Sequence, residues 1–152
     1  MSTRNDTGRI IKDAGSDFCR FREVSKYSYG DILRNINETF VTDTVGSMQT
    51  GWNGRIRNLR LIASGSGDVT DMWYHRLTDA VPSEEQVYLI LEDEKGVGPE
   101  YRIYEAYPAE IVTMLDEMNN AGEFYIVSEK YIWLIFCTKN KAGYCTGDIR
   151  IN

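Results

Sequence analysis

Apolar positions concentrate between Gln86 and Cys137, where two pairs of strand-like runs flank one amphipathic helix. Val87-Tyr-Leu-Ile-Leu-Glu92 is a β-branched, aromatic and aliphatic run of strand length. Asp93-Glu-Lys-Gly-Val-Gly-Pro99 interrupts it with two glycines and a proline, and Tyr101-Arg-Ile-Tyr-Glu105 then alternates at the period of a half-buried strand. These runs predict an antiparallel hairpin with a long loop. Pro108 suits a first helical turn, where its missing N–H leaves nothing unsatisfied. Ile111, Met114, Leu115 and Met118 then recur at i, i+3, i+4 and i+7, one apolar helix face, with Glu110, Asp116 and Glu117 off it. Asn119-Asn-Ala-Gly122 supplies the stop. Phe124-Tyr-Ile-Val127, a tight connection at Ser128-Glu-Lys130, and Tyr131-Ile-Trp-Leu-Ile-Phe-Cys137 predict a second hairpin. The last run is apolar at nearly every position, so it belongs inside the sheet with both faces covered and Trp133 buried.

The flanking chain is less regular. Residues 1–8 are polar and expected to fray. A short helix is possible around Ser16 to Arg22. Asp31 suits an N-cap, and Ile32, Leu33, Ile36 and Phe40 form a stripe that predicts a helix ending near Thr42. Residues 44–54 and 64–68 read as loops, and residues 55–62 as either a strand or a short helix. A helical turn with Trp73 and Leu77 at i, i+4 precedes the central stretch, and Tyr144 to Ile151 returns as a terminal strand. The expectation is an α+β fold: a mostly antiparallel sheet with helices packed on it, in a single domain over all 152 residues.

Charge is distributed unevenly. Residues 83–123 carry eleven acidic and two basic groups, whereas residues 1–82 are nearly balanced, so the net charge of −6 originates in the first hairpin, its loop and the following helix. Such a field repels nucleic acid and anionic lipid and attracts a basic partner. The acids singled out are Glu84, Glu85, Glu92, Asp93, Glu94 and Glu100. Their spacing does not match a calcium loop. They read as a solvated face or a partner-binding surface, and no metal or cofactor is expected. No apolar run reaches membrane-spanning length and the N-terminus is polar, which points to a cytoplasmic protein.

Chemistry-bearing motifs are sparse. His75 is the only histidine, and the sequence identifies no residue to orient it, so it reads as structural or surface. Gly65-x-Gly67 and Gly96-x-Gly98 lack the context of a phosphate cradle and read as turns. Arg55, Arg57 and Arg60 are expected to make salt bridges to the acidic half. Cys19, Cys137 and Cys145 form an unclustered set; a hairpin could set Cys137 and Cys145 face to face, but free buried thiols are the expectation.

Glu123-Phe-Tyr-Ile-Val-Ser-Glu-Lys-Tyr-Ile-Trp-Leu-Ile135 resembles a pattern in a group of small, mostly uncharacterised bacterial α+β proteins, in which a "YYIVS" strand, a short turn and a "W-L" strand follow one another. The strand runs at 87–92 and 101–105 resemble that group too, as does Phe21-Arg-Glu-Val24. There the W-L strand precedes a polar stretch with histidines; here Thr138-Lys-Asn-Lys141 has none, so a site of that kind is not carried over. Small acidic proteins of this type resemble immunity proteins of bacterial toxin systems. The resemblance implies a non-enzymatic inhibitor whose acidic hairpin and helix cover a basic toxin domain. The alternatives are a small-ligand-binding protein or enzyme with a tyrosine-lined pocket, and an oligomerisation module.

Overall fold

The computed structural model describes residues 21–41, 56–63, 73–94, 99–117, 123–138 and 142–151. The expectations for residues 1–8, 44–54, 64–68 and 119–122, for both Gly-x-Gly turns, and for Cys19, Arg55 and Met118 fall outside those residues.

The elements are β1 (Phe21–Glu23), α1 (Lys26–Phe40), β2 (Arg60–Ala63), a 3-10 turn (Trp73–Arg76) leading into α2 (Leu77–Ala80), β3 (Val87–Glu94), β4 (Pro99–Ala106), α3 (Pro108–Glu117), β5 (Phe124–Ser128), β6 (Trp133–Cys137) and β7 (Gly143–Gly147). The strands form one antiparallel sheet in the order β1-β4-β3-β5-β6-β7-β2. The fold is α+β, as the pattern predicts.

Alternation along the strands supplies two apolar faces. Leu89, Leu91, Phe124, Ile126, Trp133 and Ile135 pack on one face with Leu77 of α2 and Ile111, Met114 and Leu115 of α3. Ile90, Ile103, Tyr125, Val127, Leu134 and Phe136 pack on the other with Ile32, Leu33, Ile36 and Phe40 of α1. Every residue of β5 and β6 is buried, which explains their continuous apolar runs. The ring of Tyr125 stacks on Phe136 at 4.9 Å between centroids.

Several boundaries differ from the sequence reading. Helix α1 begins five residues before Asp31: Ser25 is the N-cap, its hydroxyl accepting the Tyr27 N–H at 3.3 Å. Lys26-Tyr-Ser-Tyr-Gly30 has weak helix propensity, but Tyr29 ties that turn to the sheet. Its hydroxyl accepts the Ile103 N–H at 3.1 Å and donates to Glu23 at 3.2 Å. Asp31 lies within the helix, paired with Arg34 at 2.7 Å. Phe21 and Arg22, placed at the end of a possible helix, lie in a strand because the outer edge of β4 offers them a ladder. Strand β3 runs on through Asp93 and Glu94, which pair with Glu100 and Pro99. Tyr131 and Ile132 belong to the turn before β6 rather than to the strand. Residues 60–63 settle as a strand on β7.

Arg57 and Arg60 bond backbone rather than the acidic half. Arg57 donates to the carbonyls of Glu38 and Thr39 at 3.2 and 2.8 Å, at the C-terminal end of α1, where a cation complements exposed carbonyls. Arg60 donates to Gly147 and Ile149, both at 2.8 Å. Cys137 and Cys145 are buried thiols, and the register sets them opposite Gly143 and Ile135 rather than each other.

Gly30 is exposed within α1, and a Cβ there meets nothing within 4 Å. Gly30→Ala is therefore expected to stabilise the protein by about 0.5–1 kcal/mol, by reducing the entropy lost on folding. Urea denaturation measures it; a destabilised variant would mean that this turn is not helical.

Candidate functional site

The N-terminal turns of α1 roof the α1 face of the sheet close to the β1 edge. Between roof and sheet lies a cleft of about 550 Å³, lined by Arg22, Glu23, Val24, Ser25, Ser28, Asp31, Ile32, Tyr88, Glu105 and Tyr131. Its floor is a cross-strand row. Arg22 pairs with Glu105 and Glu105 with Tyr88, so the three stand side by side on β1, β4 and β3. Arg22 donates from Nε and Nη2 to Glu105 Oε1 at 2.9 and 2.6 Å. The arginine side chain is 66% exposed and the glutamate 15%, so the carboxylate is fixed and the guanidinium lies at the mouth.

Glu129, on the β5–β6 turn, stands beside Glu105 behind the floor. Burial, reinforced by the neighbouring Glu105, pushes its carboxyl up to about 8. Its hydrogen bond to Glu105 holds Glu105 below the usual range; burial opposes this and Arg22 adds to it. Two adjacent carboxyls cannot both ionise cheaply, so near neutral pH Glu129 keeps a proton and donates it to Glu105. The same turn holds Tyr131 at φ 57°, a left-handed conformation that costs a non-glycine residue about 1–2 kcal/mol. Ser128 supports it: its carbonyl accepts the Tyr131 N–H at 2.9 Å and its hydroxyl the Lys130 N–H at 3.1 Å. The Tyr131 ring comes to 6.4 Å from that of Tyr88. Burial pushes the Tyr88 phenol well above its ordinary value, and Glu129, Tyr131 and Glu105 add to the effect, so the phenol stays protonated.

The six acids singled out from sequence divide between the two ends of β3. Glu92, Asp93 and Glu94 stand opposite Tyr101, Glu100 and Pro99, so four of them share the far end of the hairpin. Glu123 joins them, its carbonyl accepting the Glu92 N–H at 3.3 Å. Glu92 is half-buried beside aromatic residues: burial pushes the Tyr101 and Tyr125 phenols up, and its charge adds to the shift. Glu84 and Glu85 lie in the turn before β3, about 25 Å away at strand rise.

A third cluster occupies the opposite face. Asp116 of α3 accepts from the Tyr74 hydroxyl at 2.8 Å and lies 2.7 Å from His75 Nε2. Burial raises the Asp116 carboxyl, but the bonds to His75 and Tyr74 outweigh it and hold it ionised below its usual range. An ionised acceptor at Nε2 orients the ring and leaves Nδ1 as its second site. The orienting partner that the sequence did not reveal is therefore Asp116, brought in by the packing of α3.

Sequence reasoning passed over Arg22, Tyr88, Glu105, Glu129 and Tyr131. The available signal was Tyr88 and Glu105, polar-headed positions within the strand runs at 87–92 and 101–105. Nothing local marked Arg22, 83 residues from its partner.

Fold and cleft together define an antiparallel α+β protein with helices on both faces of the sheet and a polar, tyrosine-walled cleft at one edge. The chain belongs to DUF6756, a family of unknown function, whose model matches residues 1–151. No curated protein and no solved structure matches the chain. No helix among the described residues is long and apolar enough to cross a membrane.

Proposed function

We propose that this chain is a non-enzymatic binding protein that neutralises a basic partner through its acidic hairpin end, as an immunity protein of a bacterial toxin system would in the cytoplasm. One observation carries the reading: the β3–β4 register gathers Glu92, Asp93, Glu94 and Glu100 at one end, with Asp93 directly opposite Glu100. Four acidic positions at one end of a hairpin complement a cationic partner, which acts chiefly on the encounter rate.

The test combines pull-down from the native host with association kinetics of the captured partner. Glu92 is left intact because its charge acts on the Tyr101 and Tyr125 phenols. In the Asp93→Lys/Glu94→Lys variant, stability should change by no more than about 0.5 kcal/mol per site. The on-rate should fall roughly tenfold at low salt and lose most of its salt dependence. Equal on-rates for both proteins at both salts, or capture of housekeeping proteins alone, would remove this surface from consideration.

The cleft favours a second reading, that of a small-ligand-binding protein. A concave site with converging polar groups on aromatic walls is the usual form of such sites.

A further inference from the structure

The walls of the cleft, rather than its charge alone, point to a ligand class. Tyr88 and Tyr131 present neighbouring rings, and Val24 and Ile32 add apolar surface. Three carboxylates, Glu23, Asp31 and Glu105, line it against the single guanidinium of Arg22. All three are engaged, Asp31 by Arg34, Glu23 by Tyr29 and Glu105 by Arg22, so enclosure rather than vacancy distinguishes them. Glu105 is the enclosed one, and Arg22 already demonstrates that it receives a planar cation from the open side. From this arrangement we infer that the cleft binds an organic cation, an ammonium or guanidinium on a short apolar stem, with its charge on Glu105 and its stem against Tyr88 and Tyr131. Cations attract the faces of aromatic rings, and the stem gains from leaving water. The inference rests on the small-ligand reading and is independent of the acidic hairpin end.

Proton linkage follows from the floor. A cation on Glu105 stabilises a second negative charge beside it, so Glu129 releases the proton it shares. The other groups around this proton are Arg22 and Glu23 of β1, Asp31 of α1, Tyr88 of β3, and Lys130 and Tyr131 of the turn. Burial keeps Tyr88 protonated. The sign is then fixed: with Glu129 near 8, proton and cation compete below pH 8, and affinity rises by about tenfold from pH 7 to pH 9.

The experiment is calorimetric titration of the full chain with butylguanidinium, in two buffers of different ionisation enthalpy. Binding should release about 0.9 proton at pH 7 and about 0.1 at pH 9. Glu105→Gln should abolish binding. Glu129→Gln keeps a donor to Glu105 but cannot ionise, so proton release should vanish and the pH dependence flatten, with thermal melts checking that both variants fold. Butylurea has the same shape without the charge. If it binds as tightly as butylguanidinium, the cation assignment fails while the small-ligand reading stands. Should neither probe bind at about 10 mM, both fail. Binding of butylguanidinium without proton release also overturns the arrangement. An arm with acetyl-glycyl-arginyl-glycinamide separates the two sources of this chemistry: tighter binding of the peptide assigns the cleft to an arginine side chain, and tighter binding of butylguanidinium to a free small molecule.

Discussion

Trp133→Ala should lower the thermal midpoint by about 6–20 °C, the equivalent of roughly 3–5 kcal/mol in a domain of this size. Trp133 is 3% exposed and begins β6, an interior strand with β5 on one side and β7 on the other. Its ring belongs to the core shared by Leu89, Ile126, Ile135 and helix α3. Truncation to alanine loses the transfer free energy of the indole and leaves a void between sheet and helix that a fully paired strand cannot collapse to fill. Urea denaturation and a thermal melt both measure the loss. An unchanged midpoint would mean that the α3 face of the sheet is not packed as described.

Gly147→Ala is expected to cost about 2–5 kcal/mol, although it adds a single methyl group. Gly147 has φ 87°, where an L side chain is strained. It also stands opposite Trp133, and an added Cβ would overlap the Ile132 carbonyl oxygen and lie 2.8 Å from Trp133 Cα. Both obstacles are backbone, so no rotamer change relieves them. The Ile132 carbonyl also accepts the Asp148 N–H at 2.8 Å, so moving it away breaks that bond. Gly30→Ala is the internal control: the same methyl, in open space, should stabilise. Equal effects at the two sites would contradict the close approach of β6 and β7.

Much of the sheet was legible because burial on two faces leaves a local record. Residues 87–91 of β3, and strands β5 and β6, are apolar runs with packing on both sides, and α3 shows its stripe between Pro108 and Leu115. In these elements propensity, periodicity and tertiary environment agree, so a short window contains the answer. The start of α1 was not legible. Tyr29 holds a weak helical turn through Ile103, 74 residues away. Strand β1 is three residues long, defined by its pairing with β4 and carrying no periodicity of its own.

The acidic bias of residues 83–123 is a property of the sequence, but only the β3–β4 register decides that Glu92, Asp93, Glu94 and Glu100 share one end while Glu84 and Glu85 lie at the other. The cleft belongs wholly to the tertiary structure. Strand order sets Arg22 beside Glu105 across 83 residues, and helix packing sets His75 on Asp116 across 41. Local patterning determines which segments are helix or strand and which face they bury, since those depend on neighbours within a few residues. The meeting of Glu105, Glu129 and Tyr88 depends instead on which strand edges pair, a choice made between distant segments by the burial of the whole sheet.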